Sequence, residues 1–244
     1  MTHKKKNKKI ITIFLPIRKG SKRVVKKNTK KIYNFKLGLT EIKILQLKEL
    51  RKKFRRDTFF KNYKLEFVLS TNIDLVKKFT KNKPWLILHN RQNNLAKDDC
   101  LDDLITEVPK ICSGDFILWT HVTSPMFKSK DYFVFLKTYF NLLKNKRYDS
   151  SFTVDVCNKF LIDDNNKWIS HNQNIKKWPR TQDLKKIFSV NSAAFLSSRK
   201  NYLKYKDRIG VKPYPHISSP LSGYDIDTEE NFTFYKKYLI KNDD

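Results

Sequence analysis

A dense group of cationic side chains follows the first apolar segment of the chain. Residues 10–16 are rich in β-branched side chains, which is typical of a buried strand. A strand that ends in a basic, glycine-containing loop is a common phosphate site in α/β proteins. The pattern therefore predicts phosphate binding, and the alternative is a solvated basic loop in a lysine-rich protein. The loop contains, around the single glycine Gly20, the polar and charged residues Arg18, Lys19, Ser21, Lys22, Arg23, Lys26, Lys27 and Asn28.

Two aspartates near the end of the chain form a second group that could do chemistry. Asp225 and Asp227 flank Ile226, so in an extended segment both carboxylates face the same side. Carboxylate oxygens are the ligands that Mg²⁺ combines with phosphate and water, so the pair predicts a metal site. The alternative is that Asp227 caps the last helix, with Glu230 as the returning side chain.

Alternating strands and helices must position these two groups. The alternation predicts an α/β fold with a mainly parallel sheet covered on both faces. We expect Thr40 to cap the first helix. Strands are predicted at residues 10–16, 65–70, 85–89, 116–120, 150–156, 189–196 and 211–216. Helices are predicted at residues 40–54, from 74, from about 98, at 129–145 and near the end of the chain to about 240.

Length and composition fit one globular domain. The 244 residues, 39% of them hydrophobic, suffice for a single core, and no apolar run approaches the ~20 residues of a membrane span. The separated cysteines Cys100, Cys112 and Cys157 include no CxxC pair, and their odd number argues against a disulfide framework. We therefore expect a cytoplasmic protein with a basic tail at residues 1–9 and a single domain at residues 10–244.

The formal net charge of +28 raises the question of nucleic-acid binding. The lysines are spread over the whole chain and far outnumber the arginines, and Asn, Ile and Tyr are also abundant. A bias toward A/T-rich codons gives the same composition without a functional demand. We therefore expect no specific nucleic-acid partner, and a basic nucleic-acid-binding protein stays open as an alternative.

Short motifs along residues 9–240 resemble, in the same order, those of the acylneuraminate cytidylyltransferases, the enzymes that activate sialic acid and related nonulosonic acids. Their order along the chain is far more specific than any single motif. The matching positions are Arg18, Gly20, Ser21-Lys22 and Lys27-Asn28 in the basic loop, then Arg91, Leu95-Ala96 and Asp98, then Thr123-Ser124-Pro125, Arg180 with Gln182, Asn191, and Asp225-Ile226-Asp227-Thr228-Glu229.

Several positions depart from the family pattern. Asn72 stands where an acid is usual, and His121 and Val122 replace Gln and Pro. Phe127 takes the place of an arginine, and Ser192 that of a glycine. These changes keep open the alternative of a degenerate, non-catalytic homologue, against which the intact string at 225–229 argues.

The resemblance implies a Rossmann-like nucleotidyltransferase fold in which the basic loop and the aspartate pair meet at the carboxyl edge of the sheet. It implies that CTP and a nonulosonic sugar acid give the CMP-sugar and pyrophosphate, with Mg²⁺ as cofactor. The implied catalytic residues are Arg18, Lys22, Lys27 and Asp227, and the implied metal ligands are Asp225 and Asp227. The implied nucleotide-binding residues are Gly20, Ser21, Asn28, Arg91 and Asp98, and the implied substrate-binding residues are His121, Thr123, Ser124, Arg180, Gln182 and Asn191.

The resemblance also implies a homodimer in which residues 158–177 form a small protruding dimerisation arm. The alternative for this segment is an ordinary surface hairpin with a polar turn at residues 163–166. A nucleotidyltransferase for a different sugar acid or sugar phosphate is the nearest alternative activity.

Overall fold

The computed structural model describes residues 7–241, so most of the predicted basic tail and residues 242–244 lie outside the described part. Within it the chain forms one sheet of seven strands and six α-helices. The strands are β1 (Lys9–Ile17), β2 (Tyr63–Thr71), β3 (Ile87–Asn90), β4 (Phe116–Thr120), β5 (Ser150–Cys157), β6 (Ile187–Ser198) and β7 (Pro213–Ile217). The helices are α1 (Gly38–Arg56), α2 (Asp74–Thr80), α3 (Leu101–Ile111), α4 (Ser129–Lys144), α5 (Arg199–Tyr205) and α6 (Glu229–Lys241).

The strand order is β3-β2-β1-β4-β6-β5-β7. Strand β6 runs antiparallel to both of its neighbours, and the other pairings are parallel. The prediction of a mainly parallel α/β sheet is therefore confirmed. Because β1 and β4 are parallel neighbours, the loops that leave their carboxyl ends lie side by side.

Helices cover both faces of the sheet, which explains why the sequence of β1 is mostly apolar. Ile11, Ile13 and Leu15 belong to a core shared with α1 and α4, whereas Phe14 belongs to a second core shared with α3. A strand buried on both faces needs apolar side chains at successive positions. The core on the α1 side also contains Phe232 of α6, which brings the end of the chain back to the sheet.

The prediction that Thr40 caps the first helix was wrong. Helix α1 begins at Gly38, and Thr40 lies inside its first turn. The Thr40 hydroxyl donates to the carbonyl oxygen of Asn28 at 2.6 Å, and its backbone N–H donates to the same oxygen at 3.0 Å. Thr40 therefore fastens the end of the basic loop to α1.

The segment at 158–177 forms less regular structure than the predicted hairpin. A single antiparallel bridge joins Ile162 to Trp168 around the polar turn. The segment leaves large apolar side chains in solvent, with Ile175 84% exposed and the neighbouring Trp178 67% exposed. Among the described helices, none combines the length and the apolar character that crossing a membrane requires.

Candidate active site

A cleft of about 620 Å³ opens at the carboxyl edge of the sheet. It lies among the loops that follow β1, β3 and β4 and the segment that precedes α6. The predicted site residues that line it are Arg18, Ser21, Lys22, Lys27, Asn28, Arg91, Asp98, His121, Thr123, Asp225 and Asp227. Five predicted site residues do not line it, namely Gly20, Ser124, Arg180, Gln182 and Asn191.

Lys27 joins the basic loop to the aspartate pair. Its Nζ donates to the carbonyl oxygen of Ile226 at 2.5 Å and to Asp227 Oδ1 at 3.2 Å. Arg23 Nη2 donates to the same carboxylate oxygen at 3.0 Å. The Lys27 side chain is only 11% exposed, so its interaction with Asp227 is screened less by water than that of Arg23. The first and last motifs of the chain therefore meet, as expected.

Asp225 is held from the opposite side by the loop after β4. Ser124 Oγ donates to Asp225 Oδ1 at 3.2 Å, and the Thr123 side chain also bonds the carboxylate. Burial raises the pKa of the Asp225 carboxyl above its usual range, and the nearby Asp227 charge adds to that effect. A cation bound at the two carboxylates would stabilise the charged form of Asp225.

Helix α6 is capped by Thr228, so the alternative that Asp227 caps it was wrong. Thr228 Oγ1 accepts from the N–H of Asn231 at 3.2 Å, and Asn231 Oδ1 accepts from the N–H of Thr228 at 3.0 Å. This reciprocal pair is a capping box with asparagine at the third position. The Asp227 carboxylate bonds to Arg23 and Lys27 instead and faces the cleft.

The two aspartates suit Mg²⁺ only if phosphate and water supply the remaining ligands. Among the described residues, no group of three or more His, Cys, Asp or Glu side chains is arranged to hold a metal. Asp225 and Asp227 line one cleft and offer hard oxygen ligands. Mg²⁺ commonly uses one or two protein carboxylates and fills the remaining positions with phosphate and water. The donor set therefore suits an ion that arrives with a phosphorylated ligand.

Asp98 organises the opposite end of the basic loop. It bonds to Arg18 Nη2 at 2.5 Å and to Lys22 Nζ at 2.7 Å. Hydrogen bonds from Lys22 and Arg18 hold the pKa of the Asp98 carboxyl below its usual range. Gly20 has a φ of +98°, a left-handed conformation that glycine adopts without strain. The loop turns at Gly20 and presents Arg18 and Lys22 to the cleft.

Asn72 stands where the family that the sequence resembles usually has an acid, and its amide oxygen has a partner in the structure. The Asn72 Oδ1 atom accepts a hydrogen bond from the backbone N–H of Lys19 at 2.9 Å. An amide oxygen satisfies this donor as a carboxylate oxygen would. The basic loop therefore keeps its anchor to the end of β2.

Arg91 is a buried cation on the wall of the cleft. Only 6% of the residue is exposed, and its guanidinium donates to Ser70 Oγ and to the Ser70 carbonyl oxygen, both at 3.2 Å. Burial lowers the pKa of Arg91 to about 10, so it stays charged at neutral pH. It forms no ion pair within the described part of the chain. A buried charge without a counter-ion favours a ligand with negative or electron-rich groups.

Ser192 stands where the family that the sequence resembles has a glycine, and its backbone has a conformation that favours glycine. Its φ is +61°, and it lies where the β5–β6 register shifts. A non-glycine residue held in this region costs on the order of 1–3 kcal/mol, and such strain is concentrated at functional sites. Ser192 lines the cleft, whereas the neighbouring Asn191 donates to Asp155 Oδ1 at 2.9 Å and to Ser218 Oγ at 2.6 Å. The Asn191 side chain therefore stabilises the strained turn from behind.

Arg180 and Gln182 lie outside the cleft of their own chain. Arg180 pairs with Asp183 three residues later, at 2.9 Å, and its side chain is 71% exposed. Gln182 is exposed as well. Their predicted role in binding the sugar acid stays a prediction.

Lys43 is a functional candidate that sequence reasoning missed. It is fully buried in α1, and its Nζ donates to the carbonyl oxygens of Ser124 and Phe127 at 2.8 and 3.1 Å. Lys43 thereby fixes the loop that holds Asp225, although burial lowers the pKa of its amine to about 7. The available signal was its position on the apolar face of the helix, four residues from Leu39.

The sequence matches no known family model and no curated protein. The fold is shared with solved structures. A 4-diphosphocytidyl-2C-methyl-D-erythritol synthase from Anaerococcus prevotii is 14% identical with a TM-score of 0.62, over 95% of this chain and 99% of that one. A CMP:2-keto-3-deoxy-manno-octonic acid synthetase complexed with CTP is 12% identical with a TM-score of 0.58, over 95% and 98%. A cytidylyltransferase from Leptospira borgpetersenii is 14% identical with a TM-score of 0.51, over 96% and 88%. The chain thus has the α/β nucleotidyltransferase-like fold over nearly its whole length.

Proposed function

We propose that the protein is a cytidylyltransferase that couples CTP to a nonulosonic, sialic acid-like sugar acid and releases pyrophosphate. The observation that carries the proposal is the contact of Lys27 with Ile226 and Asp227 inside the cleft. It brings a phosphate-type basic loop against a carboxylate pair at the sheet edge where α/β proteins bind ligands. The similar structures, which include a synthetase complexed with CTP, support CTP as the nucleotide. We propose a cytoplasmic reaction because CTP is a cytoplasmic metabolite.

The proposed chemistry is an in-line displacement at phosphorus. The anomeric hydroxyl of the sugar acid loses its proton to water in the cleft and forms a new O–P bond to the α-phosphorus of CTP, while the bond from that phosphorus to pyrophosphate breaks. Arg18, Lys22 and Lys27 would neutralise the triphosphate and the departing pyrophosphate. Arg18, Lys22 and Asp98 lie together at one end of the loop. When CTP binds, Arg18 and Lys22 would therefore exchange their ion pairs with Asp98 for contacts with the phosphates. Positioning and charge stabilisation dominate such transfers.

Asp225 and Asp227 would hold Mg²⁺, which when bound neutralises charge on the phosphate oxygens. The chain orients these carboxylates with separate groups. Ser124 directs Asp225, and Lys27 directs Asp227. Each carboxylate therefore has its own hydrogen-bond donor, which holds it in position beside the other carboxylate.

The sugar acid's carboxylate calls for a cation that binds it in a fork, and Arg180 has that geometry. Because Arg180 lies outside its own cleft, we propose that it serves a second copy of the chain in a homodimer. The exposed Ile175 and Trp178 beside it are apolar surface of the kind that subunit interfaces cover. The arm at 158–177 and the residues that follow it would thus contribute to both assembly and substrate binding.

The proposed dimer predicts a measurable change in mass. Replacing both Ile175 and Trp178 by serine should convert a dimer to a monomer at micromolar concentration, because two large apolar side chains leave the interface. Light scattering reports the mass, and circular dichroism reports the fold. Leu75→Ser, at an exposed apolar site outside the arm, is the matched control. An unchanged dimer in the double variant would remove the arm from the interface.

The activity is tested with a panel of acceptors. Sialic, legionaminic and pseudaminic acids, each with CTP and Mg²⁺, should include one that releases pyrophosphate in equal amount to a CMP-sugar. ATP, GTP and UTP in place of CTP test the nucleotide. Sugar phosphates and a 3-deoxy-octulosonate test the nearest alternative activities. Absence of pyrophosphate with every acceptor and nucleotide would favour the non-catalytic homologue.

A further inference from the structure

Arg208 is a partly buried cation without a carboxylate partner among the described residues. Its guanidinium carbon lies 3.7 Å from the ring centroid of Phe195 and 5.3 Å from that of Trp119. It forms no ion pair within residues 7–241, in a chain where basic residues usually remain in solvent. Desolvating an unpaired charge is costly, so a residue placed in this way needs a polar partner or a ligand nearby.

That partner is His121, which lines the cleft at the end of β4. Arg208 Nη1 lies 3.5 Å from His121 Nε2. A guanidinium has N–H donors and no acceptor, so the Nε2 atom must accept with its lone pair. The contact therefore requires a neutral imidazole that carries its proton on Nδ1.

The electrostatic surroundings favour the same protonation state. Burial lowers the pKa of His121 to about 3, and Arg208, followed by Lys43, Arg91 and Lys27, adds to the effect as nearby positive charges. Each of these groups disfavours an imidazolium at this position. His121 is therefore neutral at physiological pH in the ligand-free protein.

The neighbourhood of Arg208 offers little competition for its N–H groups. The indole N–H of Trp119 and the hydroxyl of Tyr202 are buried and have no hydrogen-bond partner among the described residues. Arg208 and Tyr202 lie close enough to affect each other's pKa. The indole N–H can only donate and the Tyr202 hydroxyl makes no hydrogen bond to Arg208, so His121 Nε2 is the acceptor that Arg208 contacts.

We propose that Arg208 is a positioning residue that fixes His121 as the Nδ1–H tautomer, so that His121 donates a hydrogen bond to an oxygen of the acceptor sugar acid. The substrate part of this inference rests on the proposed function. With Nε2 occupied by Arg208, Nδ1 is the ring nitrogen left for a ligand in the cleft. A donor at this position selects an acceptor that presents a carboxylate, carbonyl or hydroxyl oxygen there, and its carboxylate is the strongest such partner.

The tautomer is tested without any activity. Nitrogen-15 NMR of the imidazole in the wild-type protein at neutral pH should show a protonated Nδ1 and an unprotonated Nε2 for His121, assigned by loss of its signals in His121→Asn. In Arg208→Met, which keeps an apolar stem over Phe195, the two tautomers should mix. An imidazolium or an Nε2–H tautomer in the wild type would overturn the proposal, whatever the protein's activity.

The substrate role is tested by a kinetic split. His121→Leu and Arg208→Met should each raise the KM for the sugar acid about tenfold or more, with the KM for CTP nearly unchanged, since one directed hydrogen bond to a charged group is lost. His121→Asn places an amide donor near the Nδ1 position and should rescue binding. In that background Arg208→Met should have no further effect on the KM for the acid, because an amide has no tautomer to fix.

The outcomes separate the two parts of the proposal. A larger KM for both substrates in Arg208→Met, with a lowered melting temperature, would reduce Arg208 to a structural role. An unchanged KM for the acid in His121→Leu would remove His121 from substrate binding. If no acceptor reacts at all, the proposed function fails, while the NMR result still decides whether Arg208 fixes the tautomer.

Discussion

Asp227→Asn should lower kcat by about 100-fold or more, while the fold and measurable CTP binding survive, because a metal's stabilisation of phosphate charge is worth several kcal/mol. Asparagine keeps the shape of the side chain and removes the charge that Mg²⁺ requires. Asp225→Asn should cause a loss of the same order. Steady-state kinetics over a Mg²⁺ titration, with nucleotide binding measured by calorimetry, checks both variants.

Thr228→Ala is the control that the structure provides. Thr228 accepts the capping bond from Asn231 and does not line the cleft. Its loss should cost about 1 kcal/mol of unfolding free energy, which is typical of a removed cap, and should leave kcat nearly unchanged. Asp227→Asn should show the opposite pattern, with normal stability and little turnover. A fully active Asp227→Asn enzyme with unaltered Mg²⁺ dependence would rule out the metal site.

The sequence alone was sufficient for the elements whose signals are local. Residues 116–120 were predicted as a strand and are β4, because a short apolar run between polar segments is typical of a fully buried strand. The spacing of Asp225 and Asp227 around Ile226 predicted that the two carboxylates face one side, and both residues line one cleft in the structure. In both cases the signal lies within a few residues of the chain, although the contacts that bury β4 and hold Asp225 come from distant segments.

Residues whose use depends on tertiary contacts were not predictable in this way. Threonine is a common helix-capping residue, but the Thr40 hydroxyl donates instead to the carbonyl oxygen of Asn28, twelve residues earlier. Lys43 and Arg208 are two of 52 basic residues, and only the structure shows that Lys43 bonds to buried carbonyl oxygens and that Arg208 lies over the ring of Phe195. The abundance of basic residues hides the functional ones in the sequence. The structure distinguishes them because it shows which charged groups are removed from water.

The same distinction applies within the basic loop, where Lys22 and Lys27 differ in burial. The Lys22 side chain is 82% exposed and bonds to Asp98, whereas Lys27 is buried and bonds to the Ile226 carbonyl oxygen and Asp227. Both face the cleft, so both should contribute to CTP binding. Only Lys27 also holds the carboxylate segment against the loop.

Lys27→Met should therefore lower kcat/KM for CTP by about 100-fold or more, because it removes a phosphate contact and also frees Asp227 from its buried partner. Lys22→Ala should lower it by about tenfold, the effect of one charge-assisted contact, without a change in melting temperature. Lys19→Ala is the matched control, since Lys19 is an exposed lysine of the same loop outside the cleft.

The ratio of kcat/KM for CTP between the Lys22 and Lys27 variants distinguishes a built phosphate site from a diffuse basic surface. If the loop served only as a diffuse positive surface, Lys19, Lys22 and Lys27 would be interchangeable, and each loss would shrink alike as salt rises. A buried contact is screened much less, so the deficit of Lys27→Met should persist at high ionic strength while that of Lys22→Ala fades. Near-normal kinetics in both variants would exclude the loop from the active site, and equal salt-sensitive losses in all three would favour the diffuse surface over a built phosphate site.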